Sequence, residues 1–395
     1  LTFMPAVHGK QLITVEDLKY RGELHHVQQA MVDHHASQCG FCTPGFVMSL
    51  FAMEKNKTVF TVEGVQDTLS GNLCRCTGYR PIMDAAKALC QAPQADQFDA
   101  DACKTQAMLS AISVTDQPVS IDELAERYLA QPDSRLVADG TDLALEVTQR
   151  YQRIPKLISL SHIPGLREIT LTGQTIHIGA ATPLSACMAV LQDEFPAFAE
   201  LLQRFASQQI RNQGTFGGNI ANASPIGDGA PVLLALGASL LLRCGKSQRE
   251  LPLDQFFLGY RQTALQAGEF IEQILIPRNT TDARQLRVYK VSKRLEDDIS
   301  AVCAALHIEV QNGVVIYARV AFGGMAEVAK RAIACEGQLL GQPWQTATVE
   351  RACQALEQDF TPISDFRASR GYRMQVAKNL LRRCHIEMTS PETLM

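Results

Sequence analysis

The sequence predicts a multidomain protein of α and α+β parts: a helical domain over residues 1–90, an α+β domain over 119–280 and a C-terminal α+β domain over 281–395. Three observations predict it. At 395 residues the chain exceeds what one ordinary core organises. Its hydrophobic period is helical at first and changes to short β-rich runs interleaved with helices from about Val119. Between these lies 91–118, rich in Gln, Ala, Asp, Ser and Thr without a sustained apolar period, which reads as a linker.

In chain order, apolar residues recur at helical spacing in Val27–Val32 and Phe46–Phe51, and further helices fit Val62–Leu69 and Ile82–Leu89. Beyond the linker, Leu157–Leu160 and Thr175–Ile178 read as strands and Pro196–Phe205 as a helix. A turn-rich run, Arg278–Asp282, separates the last part. There Ala304–Val310 and Val314–Ala321 form an expected hairpin about Gln311-Asn312-Gly313, closed by helices near Thr348–Glu357 and Arg367–Arg383.

Composition excludes several classes. Hydrophobic residues make up 46% and charged residues 20%, without an apolar run near the roughly 18 residues a membrane span needs. A soluble globular protein is expected. The net charge of −4 comes without a long block of one sign, so neither nucleic acid nor an anionic membrane is an expected partner. No export signal opens the chain, and a cytoplasmic location is expected. Four of the 12 cysteines sit in a tight pattern; the other eight are scattered and read as reduced, small hydrophobes. His25-His26 and His34-His35 read as exposed helix residues, and no catalytic triad or paired catalytic acids emerge, so cofactors are expected to carry the chemistry.

The strongest signal is Cys39-Gly40-Phe41-Cys42 followed, after 31 intervening residues, by Cys74-Arg75-Cys76. Four thiolates in two pairs suit one structural zinc or a [2Fe–2S] cluster with two thiolates per iron. Zinc cysteines are usually two to four residues apart, and the single-residue gap here is less typical. Each pair runs into an expected helix start, at Thr43-Pro44 and at Thr77-Gly78-Tyr79-Arg80-Pro81, with threonine as a cap and proline in the first turn. Helix N-termini aimed at an anionic cluster would stabilise it.

Gln38–Gly45 together with Gly71–Pro81 closely resembles the helical [2Fe–2S] domain of the molybdenum hydroxylases, the xanthine dehydrogenase and aldehyde oxidase family, and in particular the iron–sulfur/FAD small subunits of its bacterial members. The resemblance implies that Cys39, Cys42, Cys74 and Cys76 ligate the cluster nearer the molybdenum cofactor, with Gln38 at the pterin side. In that family a plant-type ferredoxin domain carrying a second cluster precedes a segment much like Leu1–Gly9. These residues supply ligands for one cluster, and the second is expected in a ferredoxin domain outside them.

No G-x-G-x-x-G follows a strand, so a Rossmann crevice is not supported. Two other segments offer phosphate-binding turns. Leu136-Val137-Ala138-Asp139-Gly140-Thr141-Asp142-Leu143 places a Gly-containing turn after an apolar run, though such a turn alone is more often just a turn. In Gly214-Thr215-Phe216-Gly217-Gly218-Asn219, ahead of Asp228, paired glycines permit close backbone approach and Thr215, Asn219 and Asp228 offer polar contacts; a packing loop is the plain alternative. Taken with Phe205–Asn212, both segments resemble the family's FAD domain, of the vanillyl-alcohol-oxidase type. The resemblance implies that Leu136–Leu143 wraps the pyrophosphate and Phe205 lies against the flavin. It further implies that Thr215, Phe216, Gly217, Gly218, Asn219 and Asp228 bind the cofactor, with Ile271 and Lys290 contributing from later in the chain. Where the family has Val-Gly-Asn-Thr-like residues this chain has Ala138-Asp139-Gly140-Thr141, an added acid that must turn away from phosphate. Lys290–Ile299 resembles the loop that borders the flavin and governs access of NAD, although a solvated charge run is the plain reading of most of it.

The resemblance thus implies an electron-transfer subunit, with hydroxylation on a separate molybdenum-cofactor-binding large subunit, NAD as acceptor and a dimer of heterodimers. For xanthine dehydrogenase the reaction is xanthine + NAD+ + water to urate + NADH. The alternatives are the equivalent subunit of an aldehyde, heterocycle or CO hydroxylase, and a non-catalytic zinc-binding scaffold.

Overall fold

The computed structural model describes residues 3–113, 117–278, 284–295 and 297–390. The chain divides into two compact units, Thr2–Asp116 with Ala206–Ile210, and Gln117–Phe205 with Arg211–Met395. Of the expected features, most of the turn at Arg278–Asp282 and the residue Glu296 lie outside the described residues.

The first unit is helical: His26–Asp33, Thr43–Lys55, Val62–Leu69 and Arg80–Gln91 enclose a core of Leu18, Val27, Phe46, Leu50, Val65 and Ile82. Arg80–Gln91 shows why the sequence folds so. Ile82, Ala85, Ala86 and Leu89 fall on one stripe of the helix and are all buried. Full burial of Ile82 or Leu89 contributes roughly 1.5–3 kcal/mol. Thr61 starts Val62–Leu69 by accepting the Gly64 N–H at 2.9 Å.

The structure departs from four expectations in this unit. Thr43 is not a cap: Cys42 holds that position, and the Thr43 hydroxyl bonds Ser37 Oγ at 2.6 Å. The second cysteine-adjacent helix starts at Arg80, with Tyr79 at the cap in a left-handed conformation, so Thr77 is free to serve the sulfurs. His25 is not exposed; its ring is buried against Asp96 at 2.8 Å, and the half-buried His26 bonds Glu54. The partner acid comes from the stretch read as a linker, which carries two short helices, Gln97–Ala100 and Ala102–Ser110. Neither contains a buried residue, which is why no apolar period betrayed them.

The second unit holds two antiparallel sheets. One has five strands in the order Ile169–Leu171, Thr175–Gly179, Glu269–Pro277, Ser239–Cys244, Ser247–Pro252. The other has four, Arg284–Val291, Val302–Gln311, Val314–Gly323 and Lys330–Arg331, in chain order. The helix Gly229–Leu236 is buried at every residue, as an all-apolar helix must be, and packs between core residues of both sheets. Leu184–Glu194 and Pro196–Gln203 complete the first core; Ile333–Leu339, Thr346–Asp359 and Arg370–Thr389 complete the second. The expected hairpin is present: Asn312 (φ 52°) and Gly313 (φ 77°) both take the left-handed conformation that a two-residue primed turn requires. A parallel pair, Arg135–Val137 with Leu157–Ser159, carries the first glycine turn. Among the described residues no helix is long and apolar enough to cross a membrane. These observations bear out the multidomain fold of a helical part followed by α+β parts.

Candidate functional site

The cysteine loops gather four thiols in two pairs that cross between the motifs. Cys39 Sγ and Cys76 Sγ lie 3.5 Å apart at the exposed side, and the half-buried Cys42 and buried Cys74 stand near enough to shift each other's ionisation. A single zinc needs its four sulfurs equidistant, at about 2.3 Å, from one point. Two irons need two thiolates each, and two thiol pairs meet that demand.

Each pair holds one thiol that ionises readily and one that resists. Hydrogen bonds from the Thr77 hydroxyl (3.1 Å) and backbone N–H (3.4 Å) hold Cys74 down to about 7. The Phe41 N–H lowers Cys39. Burial raises Cys42, and the bond to Cys39 raises Cys76. Cys39 and Cys76, in contact at 3.5 Å, therefore tend to share one proton. The loops are built to present sulfur: Gly40 (φ 81°) and Gly78 (φ 69°) turn the backbone, and Tyr79 Oη accepts the Cys74 N–H at 3.0 Å. Tyr79 itself sits at φ 68°, a strained conformation for a bulky residue held where its hydroxyl braces a cysteine. Asn72 donates to Ser49 Oγ at 2.8 Å, and a Cβ on Gly45 would stand 2.5 Å from Asn72 Oδ1, which explains a glycine three residues after Cys42. Gln38 is exposed beside Cys39.

In the second unit a run of contacts connects the two glycine turns. Leu160 N–H donates to Val137 O at 2.8 Å and Ser161 Oγ to Ala138 O at 2.7 Å, fixing the first turn. Asp139, 4% exposed, turns away from solvent and pairs with Arg167 at 3.7 Å. Beside Arg167, Leu166 O accepts from Ala181 N at 2.8 Å, and Ala180 O accepts from Gly217 N at 3.2 Å in the second turn. A Cβ on Gly217 would stand 2.3 Å from Ala180 O, so only glycine fits. Gly140 (φ 85°) ends the first turn and its carbonyl accepts from Ala144 N, with Thr141 and Leu143 half-buried and Asp142 exposed. Thr215 caps Phe216–Ala221 through Gly218 N at 3.0 Å. Phe216 points into the core against Phe198, leaving its backbone for any ligand. Leu136 and Ala138 are half-buried and Val137 buried; Phe205 is partly buried against the same core.

Asp228 and Lys290 meet, with Lys290 Nζ donating to Asp228 Oδ2 at 2.6 Å and both side chains buried. Ser300 Oγ donates to Asp228 Oδ1 at 2.6 Å. Arg204 donates to the carbonyls of Lys290 (3.2 Å) and Leu295 (3.3 Å). Sequence reasoning missed Ser300, Arg204 and Arg167: Ser300 ends a charge run with no local signal, while the arginine next to Phe205 could have been noticed. Ile271 packs in the core opposite Leu242, one residue before the carbonyl that accepts from Ala180 N.

Asn219 supplies a test of fit. Its Oδ1 is buried without a hydrogen-bond partner, 2.9 Å from where a Cβ on Gly229 would stand. A buried acceptor left open beside paired glycines suits a ligand that donates there, as a ribityl, ribose or flavin ring edge does. In the same unit a cavity of about 780 Å³ is lined by Pro225, Ile226, Tyr260, Arg261, Lys330 and Arg367 among others.

Comparison with known proteins accords with both halves. The [2Fe-2S] binding domain pattern matches residues 14–87, the FAD binding domain in molybdopterin dehydrogenase 111–279, and the CO dehydrogenase flavoprotein C-terminal domain 287–388. Xanthine dehydrogenase of Emericella nidulans is 32% identical over 90% of the chain and 31% of its own length. The chain thus spans about a third of the curated relatives it matches. Among solved structures, a chain of carbon monoxide dehydrogenase from Hydrogenophaga pseudoflava is 30% identical (TM-score 0.64), covering 68% of this chain and 93% of that one. A chain of quinoline 2-oxidoreductase from Pseudomonas putida 86 is 26% identical (TM-score 0.63), covering 69% and 94%. With these matches and this geometry, the chain belongs to the molybdenum hydroxylase family, in which it carries the iron–sulfur and flavin domains.

Proposed function

We propose that the chain relays electrons from a molybdenum-cofactor-binding large subunit to NAD, in an enzyme of the xanthine dehydrogenase type assembled as a dimer of heterodimers. The observation that carries this reading is the presence of both a crossed thiol quartet and a glycine-lined cradle in one chain. The Emericella nidulans relative matches across 90% of it. Bound there, a [2Fe–2S] cluster supplies one-electron capacity and FAD two-electron capacity. Cys39 with Cys76, and Cys42 with Cys74, would each hold one iron. Leu136–Leu143, Thr215–Asn219 and Asp228 would hold FAD, with Lys290 fixed by Asp228 at its edge and Phe205 against the ring. Tyr260, Arg261 and Arg367 give the neighbouring cavity aromatic and cationic walls suited to a dinucleotide.

A second reading, a subunit of a CO or quinoline hydroxylase, draws on the likeness of the flavin part to those structures. The test is to purify the chain with its partner and offer xanthine, aldehydes, quinoline and CO in turn, with NAD+ or oxygen. Bleaching of the flavin by xanthine with formation of NADH supports the first reading, and bleaching by another substrate alone selects the second. A colourless protein containing zinc would overturn both in favour of a scaffold. Cys42→Ser and Cys76→Ser are each expected to remove iron and leave FAD bound, measured by metal analysis and the visible spectrum.

A further inference from the structure

Ala206–Ile210 follows directly on Phe205 and leads back through Arg211 to the second glycine turn, yet these five residues group with the cysteine-bearing unit. Within that unit Gln209 Nε2 donates to Ser49 Oγ at 3.3 Å, and Asn72 Nδ2 donates to the same oxygen at 2.8 Å. Ser49, itself 7% exposed, stands on the helix that Cys42 opens, and Asn72 precedes Cys74 by two residues. The Gln209 side chain also lies on the backbone before Cys74: a Cβ on Gly71 would stand 2.6 Å from Gln209 Oε1 and 3.1 Å from Ser207 Cβ. Asn72 in turn leaves no room for a Cβ on Gly45. One amide from a distant part of the sequence thus closes a hydrogen-bonded brace, Gln209 to Ser49 to Asn72, behind both cysteine loops.

We propose that Gln209 is a positioning residue for the two-iron cluster, holding the helix after Cys42 and the loop before Cys74 in one register. The inference rests on the cluster reading of the four cysteines. Groups outside the ligand sphere set where the ligands stand, and with them the potential and electronic symmetry of an iron–sulfur centre. Gln209 acts through Ser49, and through Ser49 on Asn72.

The test uses the whole chain. Gln209→Met keeps the volume over Gly71 and removes the donor; Ser49→Ala removes the shared acceptor; Gly71→Ala displaces the Gln209 side chain by its added Cβ. Each is expected to retain iron and flavin while shifting the electron paramagnetic resonance g-values of the dithionite-reduced cluster and its midpoint potential. Combining Gln209→Met with Ser49→Ala should add no further shift, since both break the same brace. Unchanged g-values and potential in Gln209→Met and Gly71→Ala, or fully additive shifts in the double variant, overturn the proposal. Absence of any iron–sulfur signal in the parent chain overturns the cluster reading instead, so the two failures are told apart.

Discussion

On the proposed reading the turn at Leu136–Leu143 receives a diphosphate; a carboxylate inside it then needs a counter-ion, and Asp139 has one in Arg167. The pair is not a tight fork: at 3.7 Å it is an ion pair without a hydrogen bond, between a buried acid and an arginine side chain 34% exposed. Its value is the removal of net charge from the turn. Arg167→Met should therefore weaken FAD binding about tenfold or more, the scale of losing one charged contact beside an anion. Asp139→Gly in the same chain should restore it. Fluorescence titration of the apoprotein at low and high salt checks both, because a repulsion fades with ionic strength while a packing defect does not.

At the scale of elements, close backbone approach decides where the glycine turns can exist. Gly217→Ala would drive a Cβ against a backbone carbonyl, Ala180 O, which cannot swing aside. A loss of roughly 1–3 kcal/mol is expected, measured by urea unfolding, together with loss of bound flavin. Much of the element level was legible because it is local: the buried stripe of Arg80–Gln91, the Asn312-Gly313 turn and the glycine pair each announce themselves within a few residues. What was illegible depends on distant partners. Thr43 gave up capping for Ser37, Thr77 serves Cys74, and His25 is buried because an acid 71 residues away receives it. Ser300 joins Asp228 across 72 residues, a separation no pattern of spacing reveals.

For the molecule as a whole, acid is the expected weakness of the cysteine-bearing unit. Burial pushes the Asp96 carboxyl up, but the bonds from Lys55 (2.7 Å) and His25 (2.8 Å) outweigh it and hold it at about 2. A carboxyl depressed in the folded state stabilises above its unfolded value of about 3.9, and that contribution is lost as pH falls towards about 2. It is worth on the order of 2 kcal/mol. Burial lowers His25 as well, so its contribution acts in the same direction, fading as pH falls below its ordinary value. Asp96→Asn should lower stability at neutral pH and flatten the acid limb between about pH 4 and 2, as read from urea melts across pH. The acid comes from the stretch that reads as a linker, so the apparent connector helps to hold the helical core together.

The crossed arrangement of the sulfurs has a bearing on biogenesis. Cys39 and Cys76 face each other at the surface, 3.5 Å apart, one of them predisposed to the thiolate. In a metal-free chain exposed to air these two would couple to each other and bar the doorway to iron. On the proposed ligand assignment, metal would have to enter before this oxidation. Metal-free protein kept in air should lose two hydrogens in mass and take up iron only after treatment with a reductant.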